Sequence, residues 1–161
     1  MPELRIIDFE PRFARDFRDL NLAWISALWE PTDDDLEVLE QPQAQVIDLG
    51  GSILLAELDG RIIGSCALLK TGNTEYELAK MAIAEPARGR GVGENLARAA
   101  VHRARQLGAT RVHLESHSDW TPAIRLYEKL GFEHSANGCS SRERCNVQMQ
   151  LFLNRQPGDD T

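Results

Sequence analysis

Early in the chain, apolar side chains return every three or four positions, at Phe13, Phe17, Leu20, Trp24 and Leu28, with arginines and aspartates between them. That spacing predicts an amphipathic helix over 11–29. It follows a short apolar run, "LRIIDF" (4–9), that reads as an opening strand. "PTDDDLEVLEQP" begins with acids that favour a helix start and ends at Pro42, which predicts a second, shorter helix. In "GGSILLAELDGRIIGSCALLK" two apolar runs flank Asp59-Gly60. This is a hairpin signal, because both central residues of a type I′ turn need positive φ.

"TEYELAKMAIAE" (74–85) predicts another strand, stopped by Pro86. In 93–107 one stripe carries Leu96, Ala97, Ala100, Val101, Ala104 and Leu107, and Gly108 supplies a left-handed stop. "RVHLES" (111–116) is a strand. In "TPAIRLYEKLGF", Thr121 is expected as N-cap, Pro122 as the first helical residue and Gly131 as the C-terminal glycine. Two less regular strands, near 132–136 and 146–153, complete the order. Such a mixture, with a local βαβ unit, points to an α+β domain of three layers.

The length of 161 residues fits one domain over 1–161, ending in the polar tail 154–161. The net charge of −7 argues against a general nucleic-acid binder. "MPELRIIDFE" is charged where a signal peptide is apolar, and no segment is long enough to span a membrane, so a cytoplasmic setting is expected. Cys66 reads as a small core residue, whereas Cys139 and Cys145 lack metal-ligand spacing, so no metal is expected. Charge is unevenly spread. Asp33, Asp34, Asp35, Glu37 and Glu40 cluster early, as a helix start or as an attractor for a cationic substrate.

The candidate chemistry lies in "EPARGRGVGENLA" (85–97), with glycines at 89, 91 and 93 just before a helix. A helix N-terminus binds phosphate through unpaired N–H groups, and glycines let the backbone approach closely. The dinucleotide fingerprint fails, since Glu94 or Leu96 stands where the third glycine should be. A P-loop fails for want of Gly-Lys-Ser/Thr. What remains is Arg88-x-x-Gly91-x-Gly93 between strand and helix, which suits a pyrophosphate held by backbone amides.

Residues 77–132, "ELAKMAIAEPARGRGVGENLA…TPAIRLYEKLGF", resemble the acetyl-coenzyme A-binding core of the GNAT N-acetyltransferase superfamily. The glycine turn and A-I-x-L-Y-x-K-L-G-F about thirty residues later carry the resemblance. It implies a mixed, mostly antiparallel sheet flanked by helices and splayed between the strands near 76–84 and 111–116. The coenzyme core would span about 74–135, and about 10–48 would face the acceptor. By the same resemblance, Arg88, Gly89, Arg90, Gly91, Val92 and Gly93 wrap the pyrophosphate of acetyl-CoA. The strand edge at Met81, Ala82 and Ile83 pairs with the pantetheine arm, and the Met81 N–H faces the acetyl carbonyl oxygen.

Tyr127 falls where members often use tyrosine as general acid toward the sulfur, although it shares an apolar face with Ile124 and Leu130 and could simply pack. Glu77 falls where histone-type members carry a catalytic glutamate. Its alternatives are holding a water or pairing with Lys80. Two positions depart from the pattern: Trp120 stands where many relatives have a coenzyme-contacting asparagine, and His117 where asparagine is frequent. The resemblance implies transfer of an acetyl group to a primary amine of a small molecule or protein. A non-catalytic acyl-CoA-binding module is the alternative, and a second copy of the chain is a candidate partner.

Overall fold

The computed structural model describes residues 3–135 and 145–153. Cys139 and the tail 154–161 lie outside them. Among the described residues, seven strands form one sheet in the order β1-β2-β3-β4-β5-β7-β6. They are β1 (Leu4–Asp8), β2 (Ser52–Leu58), β3 (Arg61–Lys70), β4 (Glu75–Ile83), β5 (Arg111–Ser116), β6 (Glu133–Ser135) and β7 (Val147–Phe152). Only β4 and β5 run parallel, and they pair over just three positions, ending at Glu77↔His113. Beyond that point the two strands separate, and the expected splay is present.

The helices are α1 (Ala14–Ser26), α2 (Asp33–Glu40), α3 (Val92–Gln106) and α4 (Thr121–Lys129). A 3₁₀ turn at Pro11–Phe13 replaces the first turn expected for α1. The hairpin turn has φ of 53° at Asp59 and 75° at Gly60, as a type I′ turn requires. The N-cap of α4 is Trp120, with Thr121 as its first residue, and no side chain caps it. The proline therefore sits at the second helical position, one residue later than expected. A five-residue π-type turn at Gln43–Ile47, not foreseen from the pattern, tucks Val46 into the core.

Two apolar cores lie on opposite faces of the sheet. On one, Leu96, Ala97, Ala100 and Ala104 of α3 are fully buried, and Tyr127 and Phe132 join Leu54, Cys66, Leu68, Tyr76 and Leu78. On the other, Phe13, Phe17, Ile25, Leu39 and Val46 pack on Ile53, Leu55 and Ala67. Each fully buried large side chain contributes about 1.5–3 kcal/mol. The helix α3 comes so close to β3 that a Cβ at Gly64 would lie 2.9 Å from Leu96 Cδ1.

The apolar stripes are narrower than the pattern suggested. Leu28 and Leu107 are exposed, and the buried row of α1 runs Phe17, Asn21, Ile25. Spacing of four residues, 17 to 21 to 25, is the helix row that faces the sheet. Asn21 therefore enters the core although it is polar.

Candidate active site

The expected phosphate loop begins where β4 ends. A short turn at Glu85–Ala87 leads into Gly89 and Gly91, with φ of 80° and 78°. Gly91 is the N-cap of α3 in a left-handed conformation, without a side-chain cap. A side chain is disfavoured there by backbone conformation alone. A Cβ on either glycine would meet nothing within 4 Å, so the turn faces open space. Gly93 differs: its Cβ direction meets Leu126 Cδ2 of α4 at 3.8 Å. Helix start, open turn and left-handed glycines together make a cradle of backbone N–H groups that fits a pyrophosphate.

The arginines of the turn do not all face that space. Arg88 Nε donates to Ile83 O at 3.1 Å, and its guanidinium lies 5.3 Å from the Trp24 ring centroid. Arg88 thus fastens the turn to the end of β4 and to α1, and both it and Arg90 are exposed.

In β4 the alternation of faces changes once. Tyr76 and Leu78 belong to the α3/α4 core, but past Lys80 it is Met81 and Ile83 that pack against it. The cause is a β-bulge: Ala67 pairs with Ala79 and Ser65 with Ala82, so Lys80 and Met81 together oppose Cys66. Lys80 has φ of 52°, uncommon for a residue with a side chain. Its ammonium crosses to the other face and donates to Asp35 Oδ1 at 2.8 Å. Lys80 does not pair with Glu77.

Met81 completes the bulge, and Ala82 and Ile83 follow it along the stretch of β4 that β5 has left. Ala82 is buried, and Met81 and Ile83 are half-buried. Tyr127 and Glu77 lie on opposite faces of this strand. Tyr127 sits in the α3/α4 core, edge-on to Phe132 with ring centroids 5.7 Å apart. Burial, with the nearby Cys66 thiol, pushes its phenol well above the ordinary value, so it keeps its proton. Its hydroxyl has no hydrogen-bond partner among the described residues.

Glu77 faces the α1/α2 side. Desolvation raises its pKa above the usual glutamate value, Glu115 on β5 raises it further, and Lys80 opposes both. The structure therefore does not bring the two candidates side by side. It sets the Tyr127 phenol and the Glu77 carboxylate on opposite faces of the sheet.

Trp120 meets residues of α1 and of the chain after it. Its ring lies 5.7 Å from Trp24 and 5.2 Å from Trp29, with His117 at 6.1 Å. His117 Nδ1 accepts from the Asp119 N–H at 3.1 Å, which folds it back onto its own loop. These rings tie the β5–α4 connection to the end of α1 beside the splay. The partners of Trp120 were not foreseen, since ring pairing between distant segments leaves no mark in either.

Asp35, from the acidic run, is also committed. It closes a capping box with Thr32 at the start of α2 and is 6% exposed. Asp33 and Asp34 are exposed. The buried contacts of Asn21, Ser65 and Lys80 were not foreseen. The signal available was the place of Asn21 in the buried row between Phe17 and Ile25.

The family model for the acetyltransferase (GNAT) family matches residues 14–132. An uncharacterized N-acetyltransferase, YjgM, of Escherichia coli strain K12 is 34% identical over 122 residues, covering 73% of this chain and 71% of that protein. The chain belongs to the GNAT acetyltransferase family. This GNAT chain is accordingly an acyltransferase.

A mycothiol acetyltransferase of Corynebacterium glutamicum strain R is 35% identical over 106 residues, 65% of this chain but 36% of that protein. Among solved structures, a GNAT acetyltransferase of Staphylococcus aureus Mu50 has a TM-score of 0.83 at 18% identity, covering 94% of this chain and 99% of that one. The acetyltransferase yncA of Salmonella typhimurium, solved with its cofactor acetyl-CoA, has a TM-score of 0.77 at 20% identity, covering 98% of each. These two share the fold. No helix among the described residues is long and apolar enough to cross a membrane.

Proposed function

We propose that this chain transfers the acetyl group of acetyl-CoA directly to a primary amine of a small molecule or protein. The observation that carries the reading is the open N-terminus of α3, with left-handed Gly89 and Gly91, beside the length of β4 that β5 has left. The yncA structure with acetyl-CoA supports it by the shared fold. Residues 88–93 would hold the pyrophosphate by backbone amides, and the edge at Met81–Ile83 would receive the pantetheine arm as an added strand.

Bound acetyl-CoA supplies an activated thioester. The Met81 N–H stabilises negative charge as it develops on the carbonyl oxygen, a contribution of about 3–4 kcal/mol for such a donor. Tyr127, held protonated by burial, donates to the leaving sulfur. Glu77, on the α1/α2 face, takes a proton from the incoming amine, directly or through one water. Acid and base on opposite faces suit attack from one side and departure on the other, with no covalent enzyme intermediate.

Gly91→Val tests the reading. Valine opposes φ of 78°, so a folded variant should lose acetyl-CoA affinity by at least about tenfold, by calorimetry. Undiminished binding would overturn it. Thiol release by wild-type protein with a panel of amines tests transfer, and binding without release from any of them would leave only a coenzyme-binding role.

A further inference from the structure

The Met81 N–H belongs to the Lys80–Met81 peptide, and the far end of that peptide is held. Ser65 Oγ of β3 donates to Lys80 O at 2.8 Å. Asn21 Nδ2 of α1 donates to Ser65 Oγ at 3.0 Å and to Phe17 O at 2.9 Å. Asn21 and Ser65 are 1% and 0% exposed, so both side chains of this short chain of bonds are shut off from water. A trans peptide is planar, with its N–H opposite its C=O. A carbonyl turned toward Ser65 on β3 therefore turns the Met81 N–H away from β3, toward the side that β5 has left.

Holding this peptide is needed because of Lys80. Positive φ is unfavourable for any residue carrying a Cβ, and it persists only where surroundings impose it. Here they do so from both sides. The carbonyl is fixed by Ser65, and the side chain is fixed by Asp35 at the start of α2. Asp35 is itself fixed, accepting from the Thr32 N–H at 2.9 Å while its own N–H donates to Thr32 Oγ1 at 3.1 Å. A carbonyl that accepts a hydrogen bond also polarises its peptide, which makes the N–H at the other end a stronger donor.

We propose that Asn21, Ser65, Lys80 and Asp35 are positioning residues that hold the Lys80–Met81 peptide so that its N–H faces the reacting carbonyl. The bulge is the element they act through, and each of the two helices on this face contributes one anchor. The inference rests on the acetyl-transfer reading of Met81, and two separate readouts keep the two apart.

Ser65→Ala removes the bond to Lys80 O while leaving the carbon skeleton nearly unchanged. In protein saturated with acetyl-CoA, where the Met81 N–H would be bonded to the thioester carbonyl, amide hydrogen exchange at Met81 should speed up by about tenfold, with exchange at Leu54 unchanged. In steady-state kinetics kcat should fall about tenfold, with KM for acetyl-CoA within about twofold, since only a transition-state contact is weakened. Lys80→Met, which cuts the tie to Asp35 and keeps the one to Ser65, should act in the same direction. Unchanged exchange at Met81 in both variants overturns the proposal. Faster exchange with unchanged kcat also overturns it, because the network would then serve the fold alone. If wild-type protein releases no thiol with any amine, the acetyl-transfer reading fails and the donor role with it. The exchange data still decide whether these residues hold the peptide.

Discussion

The two faces of β4 treat an ionisable group in the same way and to different effect. On the α3/α4 face Tyr127 is enclosed by apolar side chains, and burial raises its pKa. On the α1/α2 face Glu77 is half-buried among Glu115, Lys80 and the cross-strand His113, and burial again raises its pKa. Desolvation disfavours the charged form in both cases. For the phenol, the neutral form is the one an acid needs, so burial preserves function at every physiological pH. For the carboxylate, the neutral form is the one a base cannot use, so burial makes function depend on pH. In the roles proposed for Tyr127 and Glu77, one physical effect gives a constitutive donor on one face and a conditional acceptor on the other.

The largest test of this contrast removes the donor. Tyr127→Phe keeps the ring against Phe132 and should leave the fold and acetyl-CoA affinity intact while lowering turnover by roughly 10²-fold. The measurement is kcat under conditions where chemistry limits. Turnover within a factor of two of wild type would make Tyr127 a packing residue, and the contrast would lose one side.

A smaller effect is expected in the pH profile. The acid limb of kcat/KM should rise through a pKa above the ordinary glutamate value, since Glu77 is raised by desolvation and then by Glu115. Replacing Glu115 by Gln removes a like charge and should move that limb to lower pH. Replacing Lys80 by Met removes the opposing cation and should move it up. The amine's own limb, near pKa ~10 for an alkylamine, should stay put in both. A limb that ignores both substitutions would assign it to a group other than Glu77.

How far the sequence reached differs between these same two faces. The α3/α4 face was readable because its signals are local: Gly89 and Gly91 sit at positive φ, α3 starts one residue after Gly91, and Gly108 and Gly131 end their helices at φ of 83° and 101°. The splay between β4 and β5 came from the resemblance, and the pairing bears it out. The α1/α2 face was not readable, because its decisive contacts join residues far apart in the chain. Lys80 to Asp35 spans 45 positions and Asn21 to Ser65 spans 44. Lys80 next to Glu77 invited an ion pair within β4. The bulge turned the side chain toward α2 instead, and no periodicity announces a bulge at a lysine.

The smallest effect is in stability, and its sign follows from the same comparison. A glutamate whose pKa is higher folded than unfolded holds its proton more tightly in the native state. Its contribution to stability is complete below the unfolded pKa of about 4.3 and is lost as pH rises through the folded value. Above the folded value the native protein carries the carboxylate against that preference. Glu77→Gln keeps the shape and removes the charge, so it should lower kcat by roughly tenfold yet raise Tm at pH 7. In a domain of this size each 1 kcal/mol moves Tm by roughly 2–4 °C. The gain should shrink toward zero below about pH 4, where wild-type Glu77 is protonated in both states. Tyr127→Phe provides the control. Its raised pKa has the same sign, but the window lies above pH ~10, so no pH-dependent gain should appear between pH 4 and 8. Thermal scans of the three proteins across that range decide it. A Tm difference for Glu77→Gln that stays constant with pH would mean the carboxylate is not held in an unfavourable state, and the two faces of β4 would not differ as described.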